Sequence, residues 1–108
     1  MNVTTPTAER VQALHRFIQD RNEEAWQRAL SADDLSADHL DAFRRVNNSN
    51  KLALAGTTAY LLHELSRWGE ASPQALRLWD HLTQCGEEWQ DHPGWKPEWA
   101  NPARAALR

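Results

Sequence analysis

Leu40-Asp-Ala-Phe43-Arg-Arg-Val-Asn47-Asn-Ser-Asn50-Lys-Leu-Ala-Leu54-Ala-Gly-Thr-Thr-Ala-Tyr-Leu61-Leu-His-Glu-Leu65-Ser-Arg-Trp68 decides the fold. Leu40, Phe43, Leu54, Leu61, Leu65 and Trp68 recur at helical spacing and form one apolar seam. Asn47 and Asn50 stand on the same face between its two halves. The phase survives the passage through Asn47–Asn50, which favours a single helix over about 37–68. The alternative is a break with Ser49 or Asn50 capping a new helix, because Asn and Ser compete with the backbone inside helices. Gly69, just past the seam, is a good residue to stop it.

Working outward, Thr5-Pro6 reads as an N-cap followed by proline at the first helical position. Val11, Leu14, Ile18, Ala25 and Ala29 then give a helical stripe, widened by Phe17, and predict a helix over about 6–30. Glu24 and Arg28 stand in the favourable i,i+4 order. Leu30-Ser-Ala-Asp-Asp-Leu35 is echoed by Leu35-Ser-Ala-Asp-His-Leu40, which reads as two Ser-capped turns, with Ser36 capping the next helix. Ser72-Pro73 repeats the cap-plus-proline start. Leu76, Trp79, Leu82, Cys85 or Gly86, and Trp89 then predict a helix over about 73–90. It cannot pass Asp91, because the residue before Pro93 is pushed out of the helical region.

Beyond that point Pro93, Pro97 and Pro102 forbid a regular helix. Pro93-Gly94 fits the centre of a type II turn, with glycine supplying a positive φ. Such a turn folds Trp95 back toward His92 and Trp89. Asp91 cannot make an ordinary Asx-turn, since Pro93 has no N–H, so Gly94 or Trp95 is its expected local donor. Asn101-Pro102 can start one last helical turn through Leu107. The expected fold is all-α: an antiparallel bundle of three long helices, or four if the chain breaks near 47–50. An irregular Trp- and Pro-rich segment, 91–108, packs on it. Residues 1–108 make one domain, with 1–5 as an N-terminal tail.

Composition narrows the function classes. The 108 residues are 41% hydrophobic and 25% charged, which is globular rather than disordered. Twelve basic and fifteen acidic residues alternate along the chain with net charge −3. No basic block argues for nucleic acid or an anionic membrane, and neither is expected as a partner. The single cysteine, Cys85, excludes an internal disulfide and fits a reducing compartment, so a cytoplasmic setting is expected. Met1 to Arg10 carries no apolar core of a secretory signal. The longest apolar stretch, Leu52 to Leu62, is too short to span a bilayer.

Chemistry-bearing residues are sparse in pattern. His81 and Cys85 are four apart on one helix face, and Asp91 and His92 follow. There is no Cys-x-x-Cys, His-x-x-x-His or Glu-x-x-His, so no metal or other cofactor is expected and His81, Cys85 and His92 are weak candidates. The glycines stand singly and no nucleophile elbow or phosphate loop occurs. Adjacent carboxylates at Glu23-Glu24, Asp33-Asp34 and Glu87-Glu88 read as solvated faces rather than acid and base. No catalytic residue is assigned.

Asn47 and Asn50 would need partners if they faced a core. The simpler reading leaves them facing water. Gly56 among Ala53, Ala55 and Ala59 lets another helix approach closely, within the bundle or from a second copy. Trp26, Trp68, Trp79 and Trp89 lie on or beside the stripes and read as core or helix-end residues. Trp95 and Trp99, with Asp91 and His92, are candidate binding residues: the indoles are either staples closing the bundle or anchors for a protein partner, with the staple favoured.

Two stretches carry a resemblance. Trp89-Gln-Asp-His-Pro-Gly-Trp95-Lys-Pro-Glu-Trp99 resembles the ending of a family of short proteins from actinobacteria and their phages. These finish in Asp-His-Pro, an aromatic two positions on and a Trp four further, here Asp91, His92, Pro93, Trp95 and Trp99. Trp95 stands where Tyr is commoner. Phe17-Ile18-Gln-Asp-Arg21-Asn-Glu-Glu24 is similar to the family's opening helix. The likeness covers about a fifth of the chain, and 31–82 shows none. It implies a bacterial or phage setting and no particular activity. The expected function is therefore a non-enzymatic helical interaction or regulatory module, monomeric or homodimeric. The rivals are a small-ligand or metal binder around His81, Cys85 and His92, and a small enzyme whose site is assembled from distant helices.

Overall fold

The computed structural model describes residues 5–70 and 72–100. Among these residues three α-helices form: α1 Ala8–Ser31, α2 Ala37–Trp68 and α3 Pro73–Gly86. Short 3-10 turns follow at Glu87–Trp89 and Pro97–Trp99. No strand occurs among the described residues. The middle helix is continuous through Asn47–Asn50, so the bundle has three helices rather than four. The expected last turn at Asn101-Pro102 lies outside the described residues.

The caps are local and specific. Ser36 Oγ accepts the His39 N–H at 3.2 Å and starts α2. Ser72 Oγ accepts the Ala75 N–H at 3.2 Å, with Pro73 at the first helical position of α3. Gly69 closes α2 with φ 79° and ψ −178°, and its N–H reaches the Leu65 carbonyl at 3.0 Å. The start of α1 corrects the sequence reading. Thr7, not Thr5, is the cap, its Oγ1 accepting the Arg10 N–H at 3.1 Å. Pro6 thus precedes the cap and Val11 sits one turn in, the two positions of a hydrophobic staple, and both are fully buried. Burying Pro6 there outweighs using it as the first helical residue. Ser31 is not a cap either; its hydroxyl donates back to the Gln27 carbonyl inside α1. Glu24 pairs with Arg21 at 2.8 Å rather than with Arg28.

Helix α3 ends four residues earlier than its stripe predicts. Gly86 is a poor interior helix former, and Glu87-Glu88 carry negative charge where the helix dipole opposes it. The chain tightens into i→i+3 bonds, with the Gln90 N–H on the Glu87 carbonyl at 3.1 Å.

The core runs between the three helices: Val11, Leu14, Phe17 and Ile18 from α1, Leu54 and Leu61 from α2, Ala75, Trp79 and Leu82 from α3, and Trp99 from the tail. His15 Nδ1 on Thr58 Oγ1 at 2.8 Å and Lys51 Nζ on Glu23 at 3.4 Å set an antiparallel register between α1 and α2. That register brings Asn47 level with Trp26. Asn47 is buried, against the expectation that it sees water, while Asn50 is exposed. The unbroken seam carries Asn47 into the α1 interface and turns Asn50 toward its edge. Trp26 stacks on Phe43 at 5.7 Å near the far end. Trp68 is 64% exposed, because α2 ends there with no helix beyond to cover it.

Helix lengths determine what stays open. At 1.5 Å per residue α2 is about 48 Å long and α3 about 21 Å. The third helix therefore covers less than half of α2, and the rest packs on α1 alone. Among the described residues no helix is long and apolar enough to cross a membrane.

Candidate functional site

Three places on this frame carry side chains that invite a functional reading: the C-terminal segment, a groove beside α3, and the outward face of α2.

The C-terminal segment gathers three of the four candidate binding residues. Trp99 is buried at 2% exposure, its ring 5.1 Å from Phe17 and 5.2 Å from Trp95. Trp95 is half-buried and meets Phe17 edge-on at 5.9 Å. His92 meets Phe17 edge-on at 5.4 Å. Arg21 lies over the other part of this cluster, its guanidinium carbon 5.0 Å from the Phe17 ring centre. The indoles thus close the bundle over Phe17, as staples do. Asp91 is not brought in; it is exposed.

The turn itself departs from expectation. Gly94 has no positive φ, so the turn is not type II. The cause is His92, which takes both donors foreseen for Asp91. Its Nδ1 accepts the Gly94 N–H at 2.8 Å and its carbonyl accepts the Trp95 N–H at 2.9 Å. Arg21 Nη1 also lies 2.6 Å from His92 Nε2. A neutral imidazole has one acceptor nitrogen. Arg21 Nη1 also lies 3.1 Å from Nδ1, so the guanidinium and the Gly94 N–H both donate toward the ring and compete for its acceptor.

The groove lies where α1, α2 and the end of α3 meet, with a volume of about 250 Å³. Ile18, Leu54 and Leu82 form its apolar floor, and Asn22, Asn50 and His81 are among its polar edges. Cys85 lines it too, its Sγ 3.9 Å from His81 Nε2. Burial pushes the Cys85 thiol up, which keeps it protonated and a poor nucleophile. His92 faces Arg21 and does not join the pair. Among the described residues no three His, Cys, Asp or Glu side chains come close enough to hold a metal ion.

The outward face of α2 includes the small residues around Gly56 that the sequence marked for close approach of a helix, and adds large apolar residues that it did not single out. Val46 is 61%, Leu52 76% and Tyr60 49% exposed. Ala42, Ser49, Ala53, Gly56 and Ala59 share that side and are also exposed. From Val46 to His63 the only charged side chain is Lys51, and it turns to Glu23 of α1. Gly56 has open space where a side chain would begin, so no helix among the described residues uses its small size. The charge-free run Leu52–Leu62 was the available signal. Leu52 and Tyr60 stand level with α3 but turn away from it, which periodicity along one helix does not show.

Comparison with protein-family models, curated proteins and solved structures gives no match for this chain.

Proposed function

We propose that the chain is a non-enzymatic helical interaction module, and that it docks through the outward face of α2. The observation that carries this reading is the exposure of Val46, Leu52 and Tyr60 along one helix side without an intervening charge. Exposed contiguous apolar surface on a helix is what partner helices recognise. The tail indoles support the same reading, since they are used in closing the core, and most of the exposed large hydrophobic side chains among the described residues stand on α2.

A photo-crosslinking amino acid placed at position 52, in chain expressed in its own host, tests the proposal. A control chain carries the same residue at position 84, which is exposed on α3. A discrete protein adduct from position 52 alone is expected. Equal adducts from both positions, or none from 52, overturn the reading.

A second reading is favoured by the groove at His81 and Cys85, whose apolar floor and polar edges suit a small amphipathic ligand. A fragment screen by NMR tests it: saturable shifts confined to Leu82, Leu54 and Asn50 support it, and their absence removes it.

A further inference from the structure

Charge and shape on α2 point to a definite partner for the interaction module, and the assignment rests on that reading of the chain. We propose that the outward face of α2 docks against α2 of a second copy of this chain, antiparallel, with the two-fold axis passing between Leu52 and Ala53.

Charge selects this occupant and its direction. The proposed register sets Asp38 opposite the partner's Arg67, and Arg45 opposite the partner's Tyr60, where a cation can lie over the ring. Each contact then occurs twice, as two-fold symmetry requires. A parallel pair would instead set Asp38 on Asp38, Arg45 on Arg45 and Arg67 on Arg67, all like charges. Lys51, the one cation that would intrude, is held at 3.4 Å by Glu23 on α1 and away from the seam.

Shape fits the same register. Ala42, Ser49 and Gly56 fall seven residues apart, the interval that keeps a seam between two helices in phase. The register sets Ser49 opposite the partner's Gly56, so two backbones can approach closely at both ends of the seam. Val46 and Leu52 flank it as the large apolar contacts, with 61% and 76% of their surface free to bury. The stretch from Asp38 to Arg67 is about 45 Å long. Two helices joined along it reach the small end of specific interfaces, on the order of 1,200 Å². An interface at that end of the range suits a weak or transient pair.

Sedimentation equilibrium of the full chain from about 1 to about 500 µM tests the proposal. The mass is expected to rise from one chain to two. Gly56→Arg is expected to abolish the rise while melting no lower than the parent at low concentration, since no described residue lies within 4 Å of the added side chain's first carbon and arginine is the better helix former. Asp38→Arg is expected to weaken association about tenfold, and combining it with Arg67→Asp to restore most of that loss. A parent chain that stays at one-chain mass at the highest concentration overturns the proposal. So does a Gly56→Arg chain that associates as tightly as the parent. A one-chain mass together with a cross-link from position 52 to another protein rejects the second copy and leaves the interaction module standing.

Discussion

Three glycines at three kinds of site make opposite demands on the same substitution. Gly69 sits at φ 79° and ψ −178°, a region that side chains adopt only under strain, so Gly69→Ala is expected to cost about 1–3 kcal/mol. Gly56 is helical, exposed and unobstructed, so Gly56→Ala is expected to stabilise the isolated chain by about 0.5–1 kcal/mol. Gly86 is buried where α3 meets α1; an added carbon would lie 3.2 Å from Trp95 and 3.3 Å from Ile18 and Leu14. Gly86→Ala is expected to cost about 1–3 kcal/mol by overpacking, offset in part by better helix propensity. Urea titration of the three variants at low chain concentration checks the order. Only the first was legible in sequence, as a helix stop. The crowding at Gly86 comes from a tail residue that sequence does not place against it.

At the scale of elements, the two cap serines and the unbroken α2 were legible because they depend on neighbours within a turn or on phase along one helix. Thr7 displaced Thr5, and His92 displaced Asp91, because burial of Pro6 and packing on Phe17 are tertiary effects that outweigh local preference. The α1–α2 contact through His15 and Thr58 was likewise invisible, since the two lie on separate helices. It has a pH consequence. Partial burial lowers the His15 pKa from 6.5. Below about pH 6.5 the unfolded chain takes up a proton that the folded chain resists, so stability falls as pH falls; above it both forms are neutral and the effect vanishes. His15→Gln is expected to flatten the change in urea midpoint between pH 7.5 and pH 5.5. An unchanged slope would show that the carboxylates alone set it.

For the whole molecule, the aromatic cluster on Phe17 joins the first helix to the Pro97–Trp99 turn. Trp99→Ala is expected to cost about 3–5 kcal/mol, a large share of the stability of a domain this size. Trp95→Ala should cost less, because its ring is half-buried. Trp99→Phe should cost least: the Trp99 indole N–H is buried without a hydrogen-bond partner among the described residues, and phenylalanine removes that unmet donor. Thermal melts of the three variants check this ranking. A partner lost without any change in melting would instead make Trp95 an interface residue. The architecture as a whole was well read from sequence, and its candidate surface was not. The core follows from stripes on each helix, whereas the bare side of α2 is the side turned away from both α1 and α3, which depends on how the helices pack.

The same cluster also acts as a clock. Phe17 and Trp99 stand about eighty residues apart in sequence, so their contact closes a long loop, whereas the α1–α2 hairpin forms from sequence neighbours. The hairpin should assemble first and the tail should seat after the barrier is crossed. Trp99→Ala is then expected to leave the refolding rate close to the parent's and to speed unfolding by roughly a hundredfold or more, which stopped-flow chevron plots would resolve. On a ribosome the consequence is sharper. Phe17 emerges about eighty residues before Trp99, so the nascent protein carries an exposed aromatic until that later stretch has been made.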